Sequence, residues 1–240
     1  MNFSALILVG GFGKRLGSLT KKNPKPMLPI RNQPFLEHLL VHLNKNNFTN
    51  VTLAVSYLSE IIIKYFKNTR QKKIPSIHFS IEKKPLGTGG AIKQALGNIN
   101  DENIFIINGD TYIDVDYKKM LSEHNKNESD ITVASYMMRE KINRYGFLGT
   151  NKSHQITHMI EKSEANEGLI NAGVYILRVD KLRKILDDIE YEVFSFEKEI
   201  LSNMSISVKK FHYQSEGIFC DIGIPEDYEK SQAKLFKDEK

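Results

Sequence analysis

The 240-residue sequence is short of most features that would tie it to a particular compartment or polymer. It holds a single cysteine, Cys220, which excludes an internal disulfide framework. No apolar run approaches the length of a membrane span. The longest near the start, residues 5–9, runs straight into Gly10-Gly11 and lacks the basic flank and cleavage site of a secretory leader. A cytoplasmic protein with no membrane association is therefore expected. Internal repeats and low-complexity segments are absent. Zinc-ligand spacings, helix-turn-helix cues and basic patches interleaved with aromatics are also missing, which removes nucleic acid from the expected partners. Hydrophobic and charged fractions of 40% and 26% are those of an ordinary globular protein with enough chain for a real core. The net charge of +5 suits a small anionic substrate, though a lysine-rich surface gives the same number.

What the sequence does contain is concentrated first in Leu8 to Ile30, LVGGFGKRLGSLTKKNPKPMLPI. The apolar run before it, Phe3 to Val9, predicts a short buried strand. Gly10, Gly11 and Gly13 follow, and glycines placed there let backbone N–H groups approach an anion without a Cβ in the way. Arg15 can fork onto phosphate oxygens, and Lys25 is a point charge held between Pro24 and Pro26. Together they suggest a polyphosphate cradle. Two common phosphate motifs fail here. A dinucleotide fingerprint from Gly11 needs glycine where Leu16 stands, and a P-loop ending at Gly13-Lys14 needs glycine at Leu8 and a hydroxyl at Arg15.

Downstream, Pro34 to Asn46 has apolar residues at helical spacing, with His38 and His42 read as a surface face. Strand-like 51–56, helix-like 58–68 and alternating 74–83 predict a parallel α/β arrangement. Glu82 ends the last of these strands, and the loop Lys84-Pro85-Leu86-Gly87-Thr88-Gly89-Gly90 opens a helix whose free N–H groups suit a polar ligand. Asn103 to Asn108 reads as a central strand buried on both faces. It ends at Gly109-Asp110, the place where open parallel sheets bind ligands, and a hard divalent cation bridging phosphates wants a carboxylate there. From Ser129 strands dominate. That half holds the Tyr145-Gly146 turn, Glu161-Lys162 and Asn171-Ala172-Gly173, a mixture of hydroxyl partners and a cation fit for a sugar phosphate. Near the end Ser195 to about Met204 reads as a helix, Asp221 ends a strand, and Pro225 starts a closing helix.

Taken in order, these stretches resemble the sugar-1-phosphate nucleotidyltransferases. Leu8–Ile30 is similar to that family's L-x-G-G-x-G-T-R-L…P-K-P-M signature, with Lys14 where threonine is usual and Ser18 where many relatives carry proline. The Leu86–Gly90 loop resembles its second signature, which contacts the base. The resemblance covers almost the whole chain. It implies a three-layer α/β/α Rossmann-like fold with a mixed, mostly parallel sheet and a small β-rich sugar-binding insertion. The expected organisation is one domain over 1–240, with 1–128 mainly binding nucleotide and 129–240 mainly binding sugar phosphate. The implied nucleotide contacts are Leu8, Gly10, Gly11, Gly13, Arg15, Glu82, Gly87, Thr88 and Gly109. The implied sugar-phosphate contacts are Lys25, Gly146, Glu161, Lys162 and Asn171. Asp110 and Asp221 would hold Mg²⁺ bridging the two phosphates, and Arg15, Lys25, Asp110 and Asp221 would be catalytic.

Ser195-Phe196-Glu197-Lys198 and Asp221–Tyr228 look most like the D-glycero-D-manno-heptose-1-phosphate guanylyltransferases of bacterial surface-glycan synthesis. GTP and a sugar 1-phosphate are accordingly the expected substrates, and GDP-heptose the expected product. Mannose-1-phosphate guanylyltransferase and a uridylyl- or thymidylyltransferase stay open. So does a nucleotide-binding regulatory module without turnover, for which Lys14 is the only foothold. The lack of a long C-terminal extension argues against the larger types fused to a β-helix or acetyltransferase domain. A homo-oligomer is compatible with all of this.

Overall fold

The computed structural model describes residues 2–68, 73–139, 144–161 and 167–235. The N-terminal part forms β1 (Phe3–Leu8), the two-residue strands β2 (Pro29–Ile30) and β3 (Gln33–Pro34), α1 (Phe35–Lys45), β4 (Phe48–Val55), α2 (Ser59–Asn68) and β5 (Ser76–Ile81). Then come α3 (Gly87–Leu96), β6 (Asn103–Asn108), β7 (Thr111–Ile113), α4 (Tyr117–Lys126) and β8 (Ile131–Met138). The remainder is β9 (Gly146–Thr150), β10 (Ile156–Glu161), β11 (Gly168–Arg178), α5 (Val179–Asp187), β12 (Lys210–Ser215), β13 (Phe219–Asp221) and α6 (Pro225–Lys234). Among the described residues no helix is long and apolar enough to cross a membrane. The chain divides into two compact units. One comprises Met1–Pro85, Asn108–Tyr112 and Cys220–Lys240, the other Leu86–Ile107 and Ile113–Phe219.

In the first unit β1, β4 and β5 pair in parallel, with β4 in the middle. Helix α1 buries Phe35, Leu36, Leu39, Leu40 and Leu43, the stripe that its apolar spacing predicts. His38 departs from the expected surface face. It is 7% exposed, with Nε2 3.1 Å from the Ile30 carbonyl. His42 turns its Nδ1 to the Tyr112 hydroxyl at 3.2 Å. Both imidazoles meet polar groups of the fold, and only His38 is withdrawn from the surface, His42 staying half-exposed.

The second unit is a mixed sheet centred on β11, which runs antiparallel to β6, β8 and β9. Strand β10 adds to β9 antiparallel, and β12 adds to β8 in parallel. Residues 104–107 of β6 are each at most 2% exposed, as an apolar strand without alternation requires. Two helices here each bury three side chains. Only Tyr117, Met120 and His124 of α4 and Val179, Leu182 and Leu186 of α5 are buried.

Where a helix was expected from Ser195, residues Glu197–Leu201 form a π-turn. Its end would leave carbonyls without partners. Lys210, 2% exposed, supplies them: its Nζ donates to the carbonyls of Ile200 (2.5 Å), Leu201 (3.2 Å) and Asn203 (2.7 Å). Burial pushes this ammonium down to about 8, so it stays charged at neutral pH.

Two predictions follow from these buried polar groups. Lys210→Met keeps the length of the side chain and strands three buried acceptors, so it should cost about 3 kcal/mol. A thermal melt should then show Tm lowered by roughly 5–10 °C, and an unchanged Tm would mean that the ammonium does not hold the turn. The second concerns His124 and His212. Burial, aided by the charge of Arg178, pushes His124 down to about 4, against Asp130, and burial with neighbouring His154 does the same to His212. In the unfolded chain both return to 6.5 and bind protons that the native state refuses. Stability should therefore be full above about pH 6.5 and fall progressively towards about pH 4. In chemical denaturation at several pH values, His124→Gln should flatten part of that slope. A slope equal to that of the parent would remove His124 from its cause.

Candidate active site

In the first unit the glycine loop leaves β1 and is pinned at its far side. Gly13 sits in the left-handed region with φ 62°, and a Cβ there would stand 2.8 Å from the Thr20 side chain. Thr20, buried, donates its hydroxyl to the Gly13 carbonyl at 3.0 Å, and the Leu16 N–H donates to the same oxygen at 2.9 Å. These bonds hold the short 3₁₀ stretch Lys14–Thr20, which presents Arg15 to solvent. Lys14 does not project freely. Its Nζ lies 5.5 Å from the centre of the Phe12 ring, which itself packs on Tyr57 at 5.2 Å. Gly11 has open space above it, whereas a Cβ on Gly10 would come within 3.0 Å of Glu82 Oε1. The Glu82 carboxylate thus lies against the loop, its backbone N–H bonded to Val55 at 2.9 Å. The Gly109 N–H donates to the Leu8 carbonyl at 3.0 Å, tying the aspartate turn to the strand that feeds the loop.

Asp110 follows that turn, and the chain returns more than a hundred residues later to bring Asp221 beside it. The Ile222 N–H donates to the Asp110 carbonyl at 3.0 Å. The Thr111 hydroxyl stands between the two side chains, 3.3 Å from Asp110 Oδ1 and 3.5 Å from Asp221 Oδ2, and its single proton can serve one at a time. Lys25, 6% exposed on a 3₁₀ turn between its prolines, makes an ion pair with Asp110 Oδ2.

The electrostatics of the pair are unequal. Burial works against the charge on Asp110, but the ammonium of Lys25 and hydrogen bonds from Lys25 and Thr111 outweigh it and hold this carboxyl below the usual range. Asp221 is pushed up to about 6, first by burial and then by the charge of Asp110. Lys25 and a 2.7 Å bond from the Gly223 N–H only partly offset these effects. Two half-buried like charges stand close together, with one ammonium, that of Lys25, beside them. Among the described residues no group of three or more His, Cys, Asp or Glu side chains is poised around a metal. The chemistry of the donor set nevertheless fits a hard divalent cation of the Mg²⁺ type. Such an ion is held by one or two carboxylates, with waters and substrate phosphates completing the shell.

The second unit holds the remaining candidates. Gly87 and Thr88 begin α3. On the sheet, Gly146 opens β9 directly opposite Glu161 at the end of β10, and a Cβ on Gly146 would touch the Asn171 Cβ at 3.7 Å. The backbone positions of Gly146, Glu161 and Asn171 therefore lie at one end of β9, β10 and β11. The amide of Asn171 is already engaged, donating to the Tyr175 hydroxyl (2.9 Å) and accepting from the Gly173 N–H (3.0 Å). Lys162 lies outside the described residues. Nothing in the sequence pattern marks Thr111 or Thr20. Each is a single threonine whose hydroxyl finds its partners only through the fold.

The chain is similar to known proteins along nearly its whole length. Residues 4–238 match the family described as nucleotidyl transferase. The chain is 45% identical over 233 residues, 96% of its length and 97% of the relative's, to D-glycero-alpha-D-manno-heptose 1-phosphate guanylyltransferase of Aneurinibacillus thermoaerophilus. It is 41% identical over 225 residues (93% and 96%) to the protein of the same name from Campylobacter jejuni. Among solved structures, HddC from Yersinia pseudotuberculosis is similar at a TM-score of 0.85 and 34% identity, over 98% of this chain and all of that one. The same protein complexed with GMP-PN is equally similar. With the match running from the first strand to the last helix, the chain belongs to the nucleotidyl transferase family and shares its α/β fold.

Proposed function

We propose that this nucleotidyltransferase transfers a guanylyl group from GTP to D-glycero-α-D-manno-heptose 1-phosphate, giving GDP-heptose for a surface glycan and releasing pyrophosphate. A phosphate oxygen of the sugar phosphate attacks the α-phosphorus of GTP. The new phosphorus–oxygen bond forms as the bond to the β-phosphate oxygen breaks, and its electron pair leaves with pyrophosphate. No covalent enzyme intermediate is needed, so catalysis is positioning and charge neutralisation. The observation that carries the reading is the convergence of Asp110 and Asp221 beside Lys25.

In this reading Asp110 and Asp221 hold Mg²⁺, which when bound neutralises charge on phosphate oxygens. The backbone of Leu8, Gly10, Gly11, Gly13 and Gly109 lines the nucleotide, and the exposed guanidinium of Arg15 meets the charge that develops on pyrophosphate. Lys25 orients the attacking phosphate while balancing the charge of Asp110. Gly146, Glu161, Lys162 and Asn171 serve the sugar phosphate, and Gly87 and Thr88 the nucleotide. Guanine is favoured by Glu82. A carboxylate accepts from the adjacent N1–H and N2–H₂ donors of guanine, whereas uracil and thymine present carbonyls that repel it. The full-length identity to two proteins named as guanylyltransferases supports the same choice.

A pyrophosphate-release assay across the four NTPs and several sugar 1-phosphates tests the reading, with GTP and the heptose phosphate expected to give the highest kcat/KM. Asp221→Asn should lower kcat about a hundredfold, the size of a lost charge contact of roughly 3 kcal/mol. Its Tm without metal should hold or rise, because the amide keeps the Gly223 contact and ends the repulsion with Asp110. Near-normal turnover would remove Asp221 from the site. Glu82→Ala should cost about ten- to a hundredfold in kcat/KM for GTP, the value of a bidentate base contact. Unchanged selectivity between GTP and UTP would assign base choice elsewhere.

A further inference from the structure

The turn at Gly87–Gly90 is covered on one side by the protein itself. The Phe194 N–H donates to the Leu86 carbonyl and the Phe194 carbonyl accepts from the Gly89 N–H, both at 3.0 Å. This clasp brings the segment so close that side chains are excluded. A Cβ on Gly89 would overlap the Phe194 ring, one on Gly90 would overlap the Glu192 carbonyl, and one on Gly87, where φ is already 72°, would overlap the Phe194 carbonyl. The glycines of the turn are thus required by its own covering segment.

The hydroxyl of Thr88 is engaged in the same way. It donates to Glu197 Oε2 at 2.6 Å and accepts from the Phe196 N–H at 2.9 Å. Ser195 donates to the same Glu197 oxygen at 2.9 Å, and its own oxygen accepts from the Lys198 N–H at 3.2 Å. One carboxylate oxygen therefore ties the turn, through Thr88, to the start of the π-turn whose far end Lys210 caps. Hydrogen bonds to an ionised acceptor are about twice as strong as neutral ones. With its hydroxyl so engaged, Thr88 offers a ligand chiefly backbone, and backbone recognises only in the conformation that it is held in.

We infer that Glu197 is a positioning residue for the guanine nucleotide, fixing the Gly87–Gly90 turn through the Thr88 hydroxyl. The inference rests on the proposed function for assigning that turn to the nucleotide. Its action is on nucleotide affinity, with the sugar phosphate untouched.

The test uses the full-length enzyme with Glu197→Ala, Glu197→Gln, Thr88→Val, Thr88→Ser and the double Thr88→Val/Glu197→Ala variant. KM for GTP and for the sugar 1-phosphate are measured separately, and GDP affinity is measured by calorimetry. Glu197→Ala and Thr88→Val should each raise the GTP KM and the GDP Kd about tenfold, the size of one charge-assisted hydrogen bond, and leave the sugar-phosphate KM within about twofold. Glu197→Gln and Thr88→Ser, which keep the acceptor and the hydroxyl, should restore most of the loss. The double variant should cost clearly less than the product of the two single losses, since both remove the Thr88–Glu197 bond, while each also loses one contact of its own, Thr88 with the Phe196 N–H and Glu197 with the Ser195 hydroxyl. Unchanged GTP KM and GDP Kd in Thr88→Val, a near-isosteric change that decides the matter if the Ala variant does not fold, would overturn the inference. So would equal losses for both substrates accompanied by a fallen Tm. If the parent enzyme turns over no NTP with any sugar 1-phosphate, the proposed reaction fails, while the GDP isotherms still decide the role of Glu197. A parent that binds neither GDP nor GTP overturns both.

Discussion

The contact between buried Lys25 and half-buried Asp110 is the constraint around which the first unit is arranged. Two half-buried carboxylates placed together are held as anions only with help from a cation, because desolvation and mutual repulsion both oppose the charged forms. Lys25 answers for one of them, and Asp221 remains only partly answered. For Lys25 to do so, its own charge must be buried at a fixed place, and Pro24 and Pro26 limit how far the backbone can stray. The loop from Gly10 to Thr20 is bonded back on itself by Thr20, so Arg15 and Lys25 leave one short stretch in opposite circumstances. The guanidinium of Arg15 is exposed to solvent, and the ammonium of Lys25 is 6% exposed and paired with Asp110.

The second unit solves a different problem with similar means. Its charged side chains hold backbone. Lys210 answers the carbonyls that a π-turn leaves open, and Glu197 at the other end of that turn gathers two hydroxyls and, through Thr88, an amide. A π-turn in a helix start is an irregular element, and irregular elements persist when surrounding interactions over-determine them. The polar cluster from Ser195 to Lys210 supplies that over-determination.

How far the sequence foretold this depends on the kind of interaction. Strands β1 and β6 and helix α1 were legible because their burial is apolar and periodic. The bounds of α1 are within a residue of those its spacing suggests. Helix α4 was not, since three buried residues, one of them a histidine, give almost no pattern, whereas α5 carries a regular stripe of Val179, Leu182 and Leu186 that was legible but is missing from the expected elements. His38 was misplaced for the opposite reason. A polar residue on an apolar face reads as an edge until the Ile30 carbonyl beside it is known. At the site, Asp110 is legible from its place after an apolar strand. Asp221 carries no local signal and is found by resemblance, and Thr111, which stands between them, carries none at all. Pairings across more than a hundred residues are properties of the folded chain, and no local window contains them.

The glycines at 87, 89 and 90 carry a lesson for reading descendants of such a protein. Each is demanded by Phe194 and Glu192 packing against the turn, whatever the turn binds. A gene copy freed from catalysis would still be obliged to keep all three, or lose the packing of that region. The motif in a genome therefore reports that the architecture survives, and an intact Leu-Gly-Thr-Gly-Gly is poor testimony that a lineage still makes nucleotide sugars. Asp221 obeys no such obligation, unlike Asp110, which answers the buried charge of Lys25. Asp221 is a liability to the folded chain, so its retention over generations would be the better sign that the chemistry is still under selection.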